Sequence, residues 1–122
     1  MRARKPLVWA GASKQDLGVF PRPVKVKLGH ALHEAQIGKK HLDAKPPRGF
    51  GGAGVLEIVA DHEGNTCRGI YTVRFEGRVH VLHVFQKTSK HGVATPKKKT
   101  ELLRERLKWA ERDHESWRES NG

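Results

Sequence analysis

Apolar residues fall in short runs along the chain, and two different periods alternate. Val24, Leu28, Ala31, Leu32 and Ala35 recur at spacings of 4, 3, 1 and 3, the pattern of one buried helix face. Pro21 and Pro23 suit the first turn of that helix and Gly38 a stop after it; Gly29 inside it is read as a place of close packing. Upstream, Leu7–Trp9 reads as a short strand. Ser13 with Asp16 three residues on resembles a capping box that opens a short helix through Leu17 to about Val19. Residues 38–54, dense in Gly, Pro and Lys, form a loop by composition.

From Val55 the period changes to two. Val55–Ala60 and the runs on either side of Glu76-Gly77 read as three antiparallel strands. With Glu76 and Gly77 as a two-residue loop, Phe75 faces Arg78, Arg74 faces Val79, Ile70 faces His83 and Arg68 faces Phe85. A four-residue loop at His62–Asn65 sets Asp61 against Thr66 and Glu57 against Ile70. Alternation then assigns Leu56, Ile58, Cys67, Tyr71, Val73, Leu82 and Val84 to the face packed on the N-terminal helices. Glu57, Arg68, Ile70, Thr72, Arg74, Val79, Val81, His83 and Phe85 share the other. After a basic turn, Thr95-Pro96 predicts a helix entry. The helix runs to roughly Trp117, with Leu103, Leu107 and Ala110 as its inner stripe and Leu102 and Trp109 beside it. The expected fold is α+β: an antiparallel sheet of about four strands, two N-terminal helices on one face, and a C-terminal helix. At 122 residues this is one domain, 1–122, with a basic leader 1–5 and a tail 118–122 expected to be flexible.

Charge narrows the partner. Lys and Arg outnumber Asp and Glu by 24 to 13, a net charge of +11, which favours a polyanion such as RNA, DNA, an acidic protein or an anionic membrane. The single Cys67 excludes an intrachain disulfide and a cysteine-based zinc site, and fits a reducing cytoplasm. No apolar run approaches the roughly 18 residues that cross a bilayer. The glycines of the 38–54 loop lack the Gly-Lys-Ser/Thr of a phosphate loop and lead into a strand. His80 and His83, three apart on a strand, are expected on opposite faces. His30 and His33 could share a metal on a helix, but no carboxylate partner is evident from the spacing, so no metal or cofactor is expected.

The candidate chemistry sits on the second sheet face. Arg68 and His83 become diagonal neighbours about 7–8 Å apart, and Lys87 leaves the strand on the same side. Arg68 admits two readings, a phosphate ligand or a structural ion pair with Glu57, and both can hold at once because a carboxylate can orient a guanidinium. His83 is either a proton-transfer group or a satisfied core histidine. Lys40, Lys45, Arg48, Arg74 and Lys90 are candidate RNA and phosphate contacts. Tyr71, placed on the core face, and Glu57, on the Arg68 face, are the supporting residues.

The order strand, two helices, three strands, with "KPLVW", "GFGGAGVLEI", "CRGIYTVRF", "VHVLHVFQKTSK" and "GVATPKKKTELLRERL", resembles the phage-related, HigB-like branch of the RelE/ParE toxin superfamily from about Lys5 to Glu111. The resemblance implies the toxin of a type II toxin–antitoxin pair, usually a ribosome-dependent mRNA endonuclease in the cytoplasm. Its partners would be mRNA on the ribosome, ribosomal RNA, and a HigA-like antitoxin with a helix-turn-helix domain in a hetero-oligomer. The family's strand arginine in the pattern YR-x-x-Y maps onto Arg68, its second aromatic onto Tyr71, and its basic residues after the last strand onto Lys87 and Lys90. The C-terminal tyrosine of several superfamily nucleases has no counterpart, since Tyr71 is the only tyrosine; His83 is then the group left for proton transfer, and Arg68, His83 and Lys87 form the expected catalytic set. Some superfamily members poison gyrase instead, so a non-catalytic basic module that binds nucleic acid or gyrase, or a phage-derived protein that kept only the fold, is the competing expectation.

Overall fold

The structure, a computed structural model, describes residues 4–50, 54–88 and 97–121. In chain order the elements are β1 (Leu7–Trp9), α1 (Ser13–Gly18), α2 (Arg22–Gln36), β2 (Val55–His62), β3 (Asn65–Thr72), β4 (Val79–Thr88) and α3 (Lys97–Asn121). The four strands form one sheet in the order β1-β4-β3-β2. The α+β class and the layer order match the sequence expectation. The sheet is mixed, because β1 pairs parallel with β4 (Leu7 with Val79, Trp9 with Val81). The residues expected at the entry of α3, Thr95 and Pro96, lie outside the described residues.

Val24, Leu28, Ala31, Leu32 and Ala35 are all buried along α2, and they close a core with Leu56, Ile58, Cys67, Tyr71 and Val84 from the sheet. Gly29 has the opposite surroundings from those expected: it is exposed, and a Cβ there would meet nothing within 4 Å. The close approach is at Gly69, where a Cβ would lie 3.1 Å from Leu28. Gly29→Ala is therefore expected to stabilise the fold by about 0.5–1 kcal/mol through backbone entropy, read as a raised denaturant midpoint at unchanged slope. Ser13 also differs from expectation. The N-cap of α1 is Ala12 without a side-chain cap bond, and the buried Ser13 hydroxyl donates to the Ala10 carbonyl instead.

The β2–β3 register is the expected one, Glu57 opposite Ile70 and Asp61 opposite Thr66. The strands run on to a His62–Asn65 pair around Glu63 (φ 48°) and Gly64 (φ 80°), the left-handed pair that a tight hairpin turn needs. Between β3 and β4 the far half is also as expected, Arg68 opposite Phe85 and Ile70 opposite His83. The near half is not. The chain does reverse at Glu76-Gly77, with the Arg78 amide donating to the Phe75 carbonyl, but a bulge between Ile70 and Tyr71 sets Tyr71 against Val81 and Thr72 against His80. The strand ends separate because each has another partner: the Val73 amide donates to Gly54 and the Val79 amide to Pro6.

The extra residue, Leu82 on β4, reverses the faces of the β4 residues between the bulge and the turn, while Tyr71 on β3 keeps its expected face. Val79 and Val81, expected on the Arg68 side, are buried in the N-terminal-helix core. Leu82 moves to the opposite core, formed with Phe50, Val55, Ile70, Phe75, Leu103 and Ala110 beneath α3. Val73 is left 39% exposed. His80, fully buried, turns to α3: its Nε2 lies 2.9 Å from Asp113 Oδ2, with Phe75 and Trp109 edge-on to its ring. Arg78 Nη1 meets the same Asp113 oxygen at 2.9 Å.

Burial holds the His80 imidazole below the ordinary histidine range, and the Asp113 bond offsets this only in part. Between that lowered value and the ordinary 6.5, the unfolded chain binds a proton that the native state refuses, so stability rises with pH across the window. Thermal melts are expected to be flat in this contribution above about pH 6.5 and to fall below it, with the fall blunted in His80→Gln.

Candidate active site

Arg68 sits at the centre of β3, an inner strand, on the sheet face that carries α3. Its Nη1 lies 3.0 Å from Glu57 Oε1 on the neighbouring strand, with the two side chains 29% and 18% exposed. The ion pair expected between Arg68 and Glu57 is thus present, and Arg68 Nε is buried without a hydrogen-bond partner among the described residues.

His83 stands on the same face. The Phe85 ring opposite Arg68 stacks on the His83 ring at 4.9 Å between centroids and 21° between planes. A row therefore runs across the sheet from Glu57 through Ile70 to His83, with Arg68 beside it. The loop before β2 extends this row. Lys45 and Glu57 exchange both backbone hydrogen bonds, at 3.1 and 2.7 Å, as an isolated antiparallel bridge, so the exposed Lys45 shares the face of Glu57. One side of the sheet thus collects Lys45, Glu57, Arg68 and His83.

Other candidates are not brought there. Arg74 lies two residues past the end of β3, about 20 Å along the chain from Arg68, where it covers the Phe75 ring and lines a groove with Gly77, His114 and Trp117. Trp117 packs on the reversal itself, with Arg78 over its ring at 5.5 Å, and a Cβ on Gly77 would approach it to 3.0 Å. Lys40 and Arg48 are exposed in the loop, and the bridge that joins Lys45 to the row does not include them. Lys87 occupies the β4 position opposite Thr66, but its side chain, like Lys90, lies outside the described residues.

The bulge also brings His80 and His83 to one side of the sheet, contrary to the expectation of opposite faces. They do different work there: His80 is bound to Asp113, whereas Arg106 Nη1 reaches His83 Nδ1 at 3.1 Å and the Leu82 carbonyl at 2.7 Å. A guanidinium only donates. His83 Nδ1 is therefore the acceptor, and the proton of the neutral ring is on Nε2. Arg106 was missed in the sequence, although its place three residues after Leu103 puts it beside the inner stripe of α3. The same spacing after Ala110 marks Asp113.

Tyr71 is 1% exposed and its hydroxyl has no hydrogen-bond partner among the described residues. Burial, with Glu34 adding to it, pushes the phenol up to about 12, so it is a core aromatic with no proton to trade near neutrality. Tyr71→Phe removes an unsatisfied buried hydroxyl and is expected to leave activity unchanged and stability equal or up to about 1 kcal/mol higher, as measured by denaturant melts. Cys67 is likewise buried, and burial raises its thiol. No described helix is long and apolar enough to cross a membrane.

Comparison with known proteins adds one finding. Neither the curated proteins nor the solved structures yield a match. The sequence model of the family described as Phage derived protein Gp49-like (DUF891) matches residues 15–108, from α1 into the middle of α3. That span holds the whole Arg68–His83 face and its Arg106 neighbour. The chain therefore belongs to the phage-derived Gp49-like family, a family of the RelE/ParE-like type.

Proposed function

We propose that the protein is the toxin of a type II toxin–antitoxin pair and acts as a ribosome-dependent mRNA endonuclease. The observation that carries this reading is the shared face of Arg68 and His83, with Lys45 in the same cross-strand row, in a chain of this family. RNA supplies its own nucleophile in the ribose 2′-OH, so the protein's part is to neutralise charge developing on phosphorus and to manage two protons. Arg68, oriented by Glu57, stabilises the transition-state phosphate, a contribution of a few kcal/mol for a preorganised cation. Lys87 is proposed as the second cation. His83 is the proton-transfer group: with Arg106 on Nδ1 its Nε2–H only hydrogen-bonds the scissile group, and moving a proton, as a base through Nδ1 or as an imidazolium acid, requires Arg106 to release Nδ1. Lys45 contacts backbone phosphate, with Lys40, Arg48 and Lys90 as outlying contacts to message and ribosomal RNA. An antitoxin with a helix-turn-helix domain would neutralise it.

The second reading, a basic module that binds nucleic acid or gyrase without cutting, draws on the same pairs seen differently: Glu57 already occupies Arg68, and Arg106 already occupies His83 Nδ1. Inducible expression with and without the neighbouring gene separates the two. The nuclease reading expects growth arrest, relief by the neighbour, and new transcript 5′ ends confined to translated messages. Arrest with intact messages favours the binding module.

A further inference from the structure

A second cluster lies on the other side of the molecule, at the C-terminal end of α2. His30 and Glu34, four residues apart on one helix face, meet with Nε2 3.0 Å from Oε1. Gly38, at φ +82°, then turns the chain out of α2, and the buried Ala44 anchors its return, its amide bonded to the His41 carbonyl. This sets the His41 ring edge-on to His30, centroids 5.4 Å apart at 85°. One ligand atom from each of His30, Glu34 and His41 lies within 4.8 Å of the other two.

We propose that His30, Glu34 and His41 form a site for a borderline divalent transition metal, zinc above all. Two imidazoles and one carboxylate are a zinc donor set with one position left for water. Ligands about 2.0–2.1 Å from a tetrahedral ion stand roughly 3.3 Å apart, so closing from the observed spacing takes an ångström or so of side-chain movement, which exposed and half-buried groups can supply. His41 Nδ1 now accepts the Asp43 amide at 3.0 Å; coordination at Nδ1 replaces that bond, and coordination at Nε2 puts the ring proton on Nδ1, so the bond is given up either way. The Lys27–Asp43 pair at 3.1 Å already holds the same segment to α2. A metal would clamp the 39–45 segment to the helix, fixing the path of the chain that delivers Lys45 to Glu57. The site stands independently of the nuclease reading.

The test is titration of the full-length, metal-free protein with zinc, and with cobalt for its absorption spectrum. One equivalent is expected to bind, with a tetrahedral cobalt spectrum and a raised Tm. His41→Ala and Glu34→Gln should each weaken zinc about tenfold or more, and the exposed His33→Ala should leave it within about twofold. No stoichiometric binding, or His41→Ala and Glu34→Gln that bind like wild type, overturns the proposal. So does an equal loss in His33→Ala, which would place the metal on the helical His30–His33 pair. Far-UV circular dichroism checks folding, and if His41→Ala loses helix, the near-isosteric Glu34→Gln decides.

Discussion

Arg68→Ala is expected to lower the rate of message cleavage on translating ribosomes by about 10²–10³-fold, the usual loss when one preorganised donor to a developing oxyanion is removed. The substitution also strands Glu57, whose side chain is only 18% exposed, at a cost of about 1–3 kcal/mol. Activity must therefore be compared at a temperature where both proteins are folded. Two companions separate charge from structure. Arg68→Lys keeps a cation and loses the planar fork, and is expected to recover only part of the rate. Glu57→Gln keeps a hydrogen-bond acceptor without the charge, and is expected to cut with a smaller loss than Arg68→Ala. A folded Arg68→Ala with the wild-type rate would remove Arg68 from the chemistry and leave it as Glu57's structural partner.

The largest expected effect on stability lies elsewhere. Asp113 holds two groups from the β3–β4 region through one carboxylate oxygen, the fully buried His80 and Arg78, whose side chain is 15% exposed. Asp113→Ala leaves a charge and a buried imidazole without that partner. Because Asp113 itself is 28% exposed, the cost belongs at the low end of the range for broken buried pairs, about 3 kcal/mol. For a domain of this size that is about 10–15 °C in Tm. Asp113→Asn, which still accepts from His80, should lose less, and the exposed Glu111→Ala should stay within about 0.5 kcal/mol of wild type. An Asp113→Ala protein that melts with the wild type would mean that Arg78 and His80 find water or each other instead.

The elements were legible in the sequence because their periods are clean. The α2 stripe, Leu103 and Ala110 in α3, and the β2–β3 register all followed from spacing and turn chemistry. The misplaced faces of β4 share one cause. The bulge between Ile70 and Tyr71 goes with bonds from the Val73 amide to Gly54 and the Val79 amide to Pro6, groups distant in sequence, and no local pattern announces it. Its effect stopped short of the candidate site: Arg68 and His83 lie on the far side of the bulge from the turn, where the expected pairing holds. Lys45 joined the site through a bridge between its own main chain and that of Glu57, a contact that composition cannot reveal. Arg106, by contrast, was within reach of helical periodicity and was passed over because a cation three residues after Leu103 reads as solvated surface.

Product chemistry on a defined, translated message tests the central claim most directly. Metal-independent attack by the 2′-OH predicts a 5′-hydroxyl on the downstream fragment and a 2′,3′-cyclic phosphate or 3′-phosphate upstream, undiminished by chelator beyond its effect on the ribosome, and lost together in Arg68→Ala and His83→Ala. Intact messages, or 5′-phosphate ends that persist in both variants, would contradict the account.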